Sequence, residues 1–465
     1  MTSMAQLAST PARTTLRPLD YALILVAAIA VRLVFLRAFP HADGDWALYG
    51  DVARNILAGC GVAVTTPEGC RPHFGGNQLP LFPAFAALVW WLSAGSDTAI
   101  RLVQTLIGAL ATVWLAHAVG EFTRHRLMGL AAGLLQAVSP VQAFWAGHLL
   151  TETLALAGTQ WVLAELLLGH AQGRFRTVQV GLAMTFSIWM RLDGVLLAVP
   201  VGVSALLMRP RPQAIRGCIL AGLIVFASLG AWTVRNVAVG ISPVPILGLL
   251  PDGTRGPRGY VAWVQTWVVN EHDRAAASFF GVHNFDRIRI PESAYASAEE
   301  RAEVLALLER LRQHVGRPFP PEIDQAFRAL AERREAAQTT GDKLSLLMSR
   351  AHDLARPWVW PLGRKDPSGA PASPSPSDLY RFLVSIGCVI GIVLALRTRE
   401  PAMAILGTLA VVYATVRLGF FTAMTGLETR YLVEMAPFLE AFAGAAAAML
   451  AMMVWRRTFG AVRPG

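Results

Sequence analysis

A chain of 465 residues that is 54% hydrophobic and only 15% charged, with a positive mean hydropathy, does not describe a soluble protein; it describes a polytopic membrane protein. The formal charge of +10 does not point to nucleic acid, because the arginines stand singly or in pairs between apolar blocks, with no basic groove interleaved with aromatics. Four cysteines, two of which (Cys218 and Cys388) lie inside apolar runs, exclude a disulfide-built scaffold as well.

The N-terminus is polar through Asp20 and carries Arg13 and Arg17; residues 21–39 are then apolar apart from Arg32 and Arg37. This run is longer than a signal-peptide core and no small-x-small cleavage site precedes the acidic loop, so an uncleaved signal anchor is expected, with Arg13 and Arg17 in the cytoplasm. Arg32 and Arg37 either snorkel outward or face the protein interior.

The next stretch, HADGDWALYGDVARNILAGCG, places Asp43 and Asp45 just past the anchor. Residues 46–58 and 79–94 each have a helical apolar face but are short for a span, and are expected to lie as interfacial helices on the outer leaflet. Cys60 and Cys70 bracket GVAVTTPEG between them; in an oxidising exterior they would close a disulfide that pins the loop.

Long apolar blocks follow at 99–120, 127–144, 149–169, 178–190, 192–208, 217–234, 381–396, 402–421 and 431–454. With the anchor they predict about ten transmembrane helices, two of them short and flanking Arg191. The positive-inside rule tests the count: Arg124 with Arg126, Arg174 with Arg176, Arg209 with Arg211 and Arg216, Arg397 with Arg399, and Arg456 with Arg457 occupy alternate loops, all cytoplasmic in this register. If either interfacial helix were a span, Arg124 and Arg126 would be exported.

The opposite loops carry Asp43 and Asp45, His148 and Glu152, Arg191 and Asp193, Arg235, and Glu428 with Arg430. A hydrophilic insertion with helical periodicity lies on the same side and ends in the linker DPSGAPASPSPSD. The expected organisation is a membrane module over 1–240 with its first external loop at 41–96, an external soluble insertion over 241–379, and C-terminal transmembrane helices over 380–465. No internal repeat is evident, which disfavours an inverted-repeat transporter.

DWALYGDVARNILAGCG followed by NQLPLFPAFAAL, then HLLTETLAL, MRLDGVLL, AWTVRNVAVG and TGLETRYLVEMAP, resembles in order and sidedness the GT-C fold glycosyltransferases that take a sugar from a polyprenyl-phosphate donor. The protein O-mannosyltransferases and the lipid A aminoarabinose transferase belong to that group. The resemblance implies an all-α polytopic membrane protein, GT-C type, and a glycosyltransferase acting on a hydroxyl acceptor (lipid, glycan or protein) with inversion. The location it implies is the bacterial inner (plasma) membrane, with the site on the extracytoplasmic side. Residue by residue it places the catalytic base on Asp45, followed four positions on by Tyr49, with Asp43 as the rival. A phosphate leaving group needs positive charge rather than a general acid, which points to Arg191 and Arg430, with Glu152, Arg235 and Tyr431 as further substrate-binding candidates. Where the aminoarabinose transferase has a basic residue before its proline pair, this chain has Asn77, Gln78 and Leu79, so either other arginines bind phosphate or the donor differs.

Other readings of the same residues stand beside these. Asp43 or Asp45 fits a helix N-cap, Glu152 a first-turn carboxylate, Arg191 a snorkelling anchor, Arg235 a membrane-boundary residue, and Tyr49 and Tyr431 belt aromatics. His41, His73 and His148 have no metal-ligand spacing; a divalent metal ion on Asp43, Asp45 or Glu152 is compatible with the donor types but not called for. A multi-span transporter or lipid flippase is the alternative function, opposed by the crowding of ionisable residues at outer helix ends rather than at midplanes.

Overall fold

A computed structural model describes residues 16–39, 44–72, 79–240, 257–278, 284–359, 375–425 and 427–459. Asp43, His41, His73, Asn77, Gln78 and most of the Pro/Ser linker lie outside the described residues. Helix α1 (Pro18–Ala38) is followed by the loop elements α2 (Gly44–Leu57), β1 (Ala63–Thr66), β2 (Gly69–Pro72) and α3 (Leu81–Ser93). The membrane bundle continues with α4 (Asp97–Thr123), α5 (Arg126–Ala137), α6 (Pro140–Ala146), α7 (Glu152–Gln172), α8 (Thr177–Met190), α9 (Ala198–Leu207) and α10 (Arg211–Ala238). The insertion contributes α11 (Arg258–Gln265), α12 (Glu271–Ala277), α13 (Ala298–Arg312), α14 (Pro321–Ala337) and α15 (Thr340–Val359), and the chain returns through α16 (Pro376–Thr398), α17 (Pro401–Ala423) and α18 (Ala436–Phe459).

Among the described residues seven helical segments are long and apolar enough to cross a membrane, and α5 with α6 forms a broken eighth, bent by 48°. The bend follows from the sequence: Pro140 starts α6, where its missing N–H costs nothing, and the Ser139 hydroxyl caps the new helix by accepting from Gln142 N at 3.3 Å. The runs on either side of Arg191 are helical but shorter, so all ten apolar blocks of the sequence are occupied by helical segments. The protein is an integral, multi-pass membrane protein.

Helix α7 is buried on nearly every side, which is why its apolar residues show no single stripe. Around it, helices approach through small residues, as they do where lipid supplies no hydrophobic drive: a Cβ on Gly444 would collide with the Ala132 backbone, and one on Gly158 with Ser187. Asp20 pins the start of α1 to the start of α5 through Arg126, whose Nε and Nη2 lie 2.7 and 2.6 Å from its two oxygens. Arg32 faces inward and is buried. It donates to the Gln142 side chain at 3.0 Å, while Gln142 and Ser139 each donate to Glu440 at 2.6 Å. The interior therefore holds more ionisable groups than the sequence suggested.

The segment between α2 and α3 was expected only as loop; it forms an antiparallel hairpin registering Ala63 with Pro72 and Thr66 with Gly69. Asn55 and Asp51 of α2 hold it, with Asn55 Nδ2 donating to the Ala63 carbonyl at 3.0 Å and Thr65 N donating to Asp51 at 2.7 Å. Cys60, just before β1, and Cys70, opposite Thr65 in β2, form a disulfide.

The insertion has its own core, in which Trp263, Phe285, Phe327, Ile323 and Leu311 are buried. Tyr260 meets Phe327 edge-on at 4.9 Å, and Trp263 Nε1 donates to Glu300 at 3.0 Å. Helix α15 couples this unit to the bundle: Arg350 Nε donates to the Val268 carbonyl at 2.7 Å, while Leu354 and Trp358 join the membrane core.

Candidate active site

Asp45 sits in the first turn of α2, where a carboxylate suits the positive end of the helix dipole. The helix is oriented by its aromatics: Trp46 packs edge-on to Trp90 of α3 at 5.4 Å and Tyr49 edge-on to Phe82 at 5.1 Å. Tyr49 is buried among Phe82, Leu150, Leu154 and Met190 rather than sitting in an interfacial belt, and burial pushes its phenol above the ordinary value, so it stays neutral. With that face buried, Asp45 projects at the half-exposed edge. It does not cap: its Oδ2 lies 3.3 Å from Nη1 of Arg430.

Arg430 and Tyr431 lie on a 3-10 turn, Thr429–Met435, that leads into α18. Arg430 Nη1 is 4.0 Å from Oε1 of Glu152, the first residue of α7, and its Nε pairs closely with Glu428, which in turn pairs with Arg274 of the insertion. Glu152 is buried. The same Oε1 lies 3.0 Å from Arg191 Nη1, whereas Oε2 has no hydrogen-bond partner among the described residues, an orphan that buried polar atoms rarely remain.

Arg191 breaks the helix after Met190, and its Nε is shared by Asp193 at 3.2 Å and Glu434 at 3.0 Å. The rings complete the arrangement: the guanidiniums of Arg191 and Arg430 lie 5.4 and 5.3 Å from the Tyr431 centroid, and Phe421 stacks on Tyr431 at 4.9 Å. The shared Glu152 carboxylate and the shared ring together offset the repulsion of the two like charges.

The structure therefore brings Asp45, Tyr49, Glu152, Arg191, Arg430 and Tyr431 to one end of the bundle. Arg235 is seen at the hairpin instead. It donates to the Val62 carbonyl at 2.7 Å and stacks on Trp232 at 4.6 Å, holding the start of the hairpin. Arg417 and Glu434 belong to the cluster and were not singled out from the sequence; the signal was there, since a charge inside an apolar run such as 402–421 is seldom without purpose.

Among the described residues five carboxylates (Asp45, Glu152, Asp193, Glu428, Glu434) face four guanidiniums (Arg191, Arg274, Arg417, Arg430) in this linked set. No group of three or more His, Cys, Asp or Glu among the described residues is placed to hold a metal ion.

No protein-family model and no curated protein matches the sequence. Solved structures do. The archaeal oligosaccharyltransferase AglB from Archaeoglobus fulgidus, in complex with an inhibitory peptide and a dolichol-phosphate, aligns with a TM-score of 0.50 at 14% identity, over 95% of this chain and 52% of that one. ArnT from Cupriavidus metallidurans, bound to undecaprenyl phosphate, aligns with a TM-score of 0.37 at 14% identity, over 96% of this chain and 82% of that one. This chain spans about half the length of the oligosaccharyltransferase. The fold assignment rests on the first likeness: an all-α polytopic membrane protein of the GT-C type, as the sequence predicts.

Proposed function

We propose that this protein is a glycosyltransferase that moves a sugar from a polyprenyl-phosphate donor to a hydroxyl acceptor at the extracytoplasmic face of the membrane. The carrying observation is the convergence of a half-exposed carboxylate, Asp45, with the guanidiniums of Arg430 and Arg191 around Tyr431. Asp45 Oδ1 makes no hydrogen bond to a described residue, which leaves it open to accept a proton from an acceptor hydroxyl. As that oxygen bonds to the anomeric carbon, the bond from carbon to the phosphate oxygen breaks, and the electron pair leaves with the polyprenyl phosphate. Arg191 and Arg430 stabilise the charge that develops there. A single displacement inverts the anomeric centre and needs no second catalytic carboxylate.

Glu152, with one oxygen unpartnered, is the residue suited to receive a further hydroxyl of donor or acceptor. Donor phosphate adds negative charge to a set with one carboxylate in excess among the described residues, so it competes with those carboxylates for the guanidiniums. The exposed Asp45–Arg430 contact is the cheapest to open. The alternation of arginine-bearing loops and the disulfide both support an exterior, oxidising location for this end, in the inner (plasma) membrane of a bacterium.

The test is to incubate purified protein with a panel of polyprenyl-phosphate sugars and follow free polyprenyl phosphate. Absence of release from every donor would overturn this reading. The buried Arg32, Gln142 and Glu440 network favours a transporter or flippase instead. That reading requires donor movement between leaflets without release of its sugar.

A further inference from the structure

Arg417 stands in α17, fully buried, with no part in the chemistry described above. Its guanidinium faces the same two carboxylates that hold Arg191. Asp193 gives Oδ1 to Arg191 Nε at 3.2 Å and Oδ2 to Arg417 Nη2 at 2.7 Å. Glu434 gives Oε1 to Arg191 Nε at 3.0 Å and Oε2 to Arg417 Nη1 at 2.9 Å. The four groups close a ring of alternating charge.

Arg417 is spent entirely within the protein: Nη1 also donates to the Tyr413 hydroxyl at 3.1 Å and Nε to the Tyr431 carbonyl at 3.0 Å. Arg191 is not, since its Nη2 makes no hydrogen bond to a described residue. Two carboxylates facing a single guanidinium tend to wrap it, each turning both oxygens onto parallel N–H bonds. Arg417 takes one oxygen from each and thereby prevents this.

We propose that Arg417 is a positioning residue: by dividing Asp193 and Glu434 with Arg191, it keeps the outer N–H edge of Arg191 unspent for the donor phosphate. The inference rests on the reading of Arg191 as a phosphate-binding residue. Its contact with the Tyr431 carbonyl fixes the same ring on which Arg191 and Arg430 lie.

Arg417→Lys keeps the charge but cannot reach two carboxylates and a carbonyl together. Turnover in this variant is expected to fall about tenfold to a hundredfold, because small misplacements of a charge-stabilising group are costly. Affinity for donor should fall less. Adding Arg417→Lys to Arg191→Lys should produce no further loss, since the one residue acts through the other; losses that multiply would overturn the proposal. A cryo-EM structure of Arg417→Lys gives a readout independent of transfer. Arg191 is expected to turn its Nη2 onto Asp193 or Glu434, and an unmoved Arg191 overturns the proposal. If the wild type releases no polyprenyl phosphate from any donor, the glycosyl-transfer reading falls, and the position of Arg191 in the variant still decides the matter of Arg417. Should Arg417→Lys fail to fold, Arg417→Gln combined with Glu434→Gln preserves the charge balance and is expected to show the same turn of Arg191 onto Asp193.

Discussion

Asp45 and Arg430 are 385 residues apart in the chain and 3.3 Å apart in the fold. The contact joins the first turn of α2 to the turn that precedes α18, pairing the proposed base with a proposed phosphate-binding residue.

Asp45→Asn should lower transfer about a hundredfold to ten-thousandfold, the range for loss of a general base, while the protein still purifies as a folded monodisperse species. Little stability is at stake, because the side chain is 43% exposed and makes one ion pair. Asp43→Asn should hurt less. Near-normal turnover with asparagine at 45 and none with asparagine at 43 would move the base to the other aspartate.

Arg191→Lys and Arg430→Lys should each reduce turnover more than donor affinity, at a cost of about 3 kcal/mol in the transition state. An ammonium cannot offer two parallel donors to a phosphate. A snorkelling anchor would tolerate lysine well, so wild-type turnover in Arg191→Lys would exclude that residue from the active site.

The Cys60–Cys70 disulfide closes a loop with a sequence separation of 10, and losing it should destabilise the hairpin by about 3 kcal/mol on the chain-entropy account. Mass spectrometry after alkylation without reductant should find these two thiols protected. Labelling of both in the unreduced protein would rule the bond out.

Gly259→Ala tests the core of the insertion. An added Cβ would collide with the Asp324 carbonyl where α11 crosses α14, beside the bond from Tyr260 N to Asp324 at 2.9 Å. Forcing these helices apart should cost about 1–3 kcal/mol. Thermal unfolding measures it; an unchanged midpoint would show that the two helices do not pack this closely.

The sequence by itself determined the ten apolar runs that fold as helical segments, the two short helices around Asp45 and the alternation of arginine-bearing loops. Those are properties of local hydropathy and of arginine placement along the chain, legible wherever a segment must match a bilayer. The hairpin escaped because its strands Ala63–Thr66 and Gly69–Pro72 are too short to show alternation, and because they are held by Asp51, Asn55 and Arg235 from outside. The inner half of the site escaped for a related reason. Arg417 meets Asp193 across 224 residues and Ser139 meets Glu440 across 301, and a buried charge reveals only that it needs a partner, never which one. Only the packing of α17 against the 3-10 turns Leu192–Leu197 and Thr429–Met435 decided that Arg191 would share its carboxylates with Arg417, because an ion pair forms where segments meet in space.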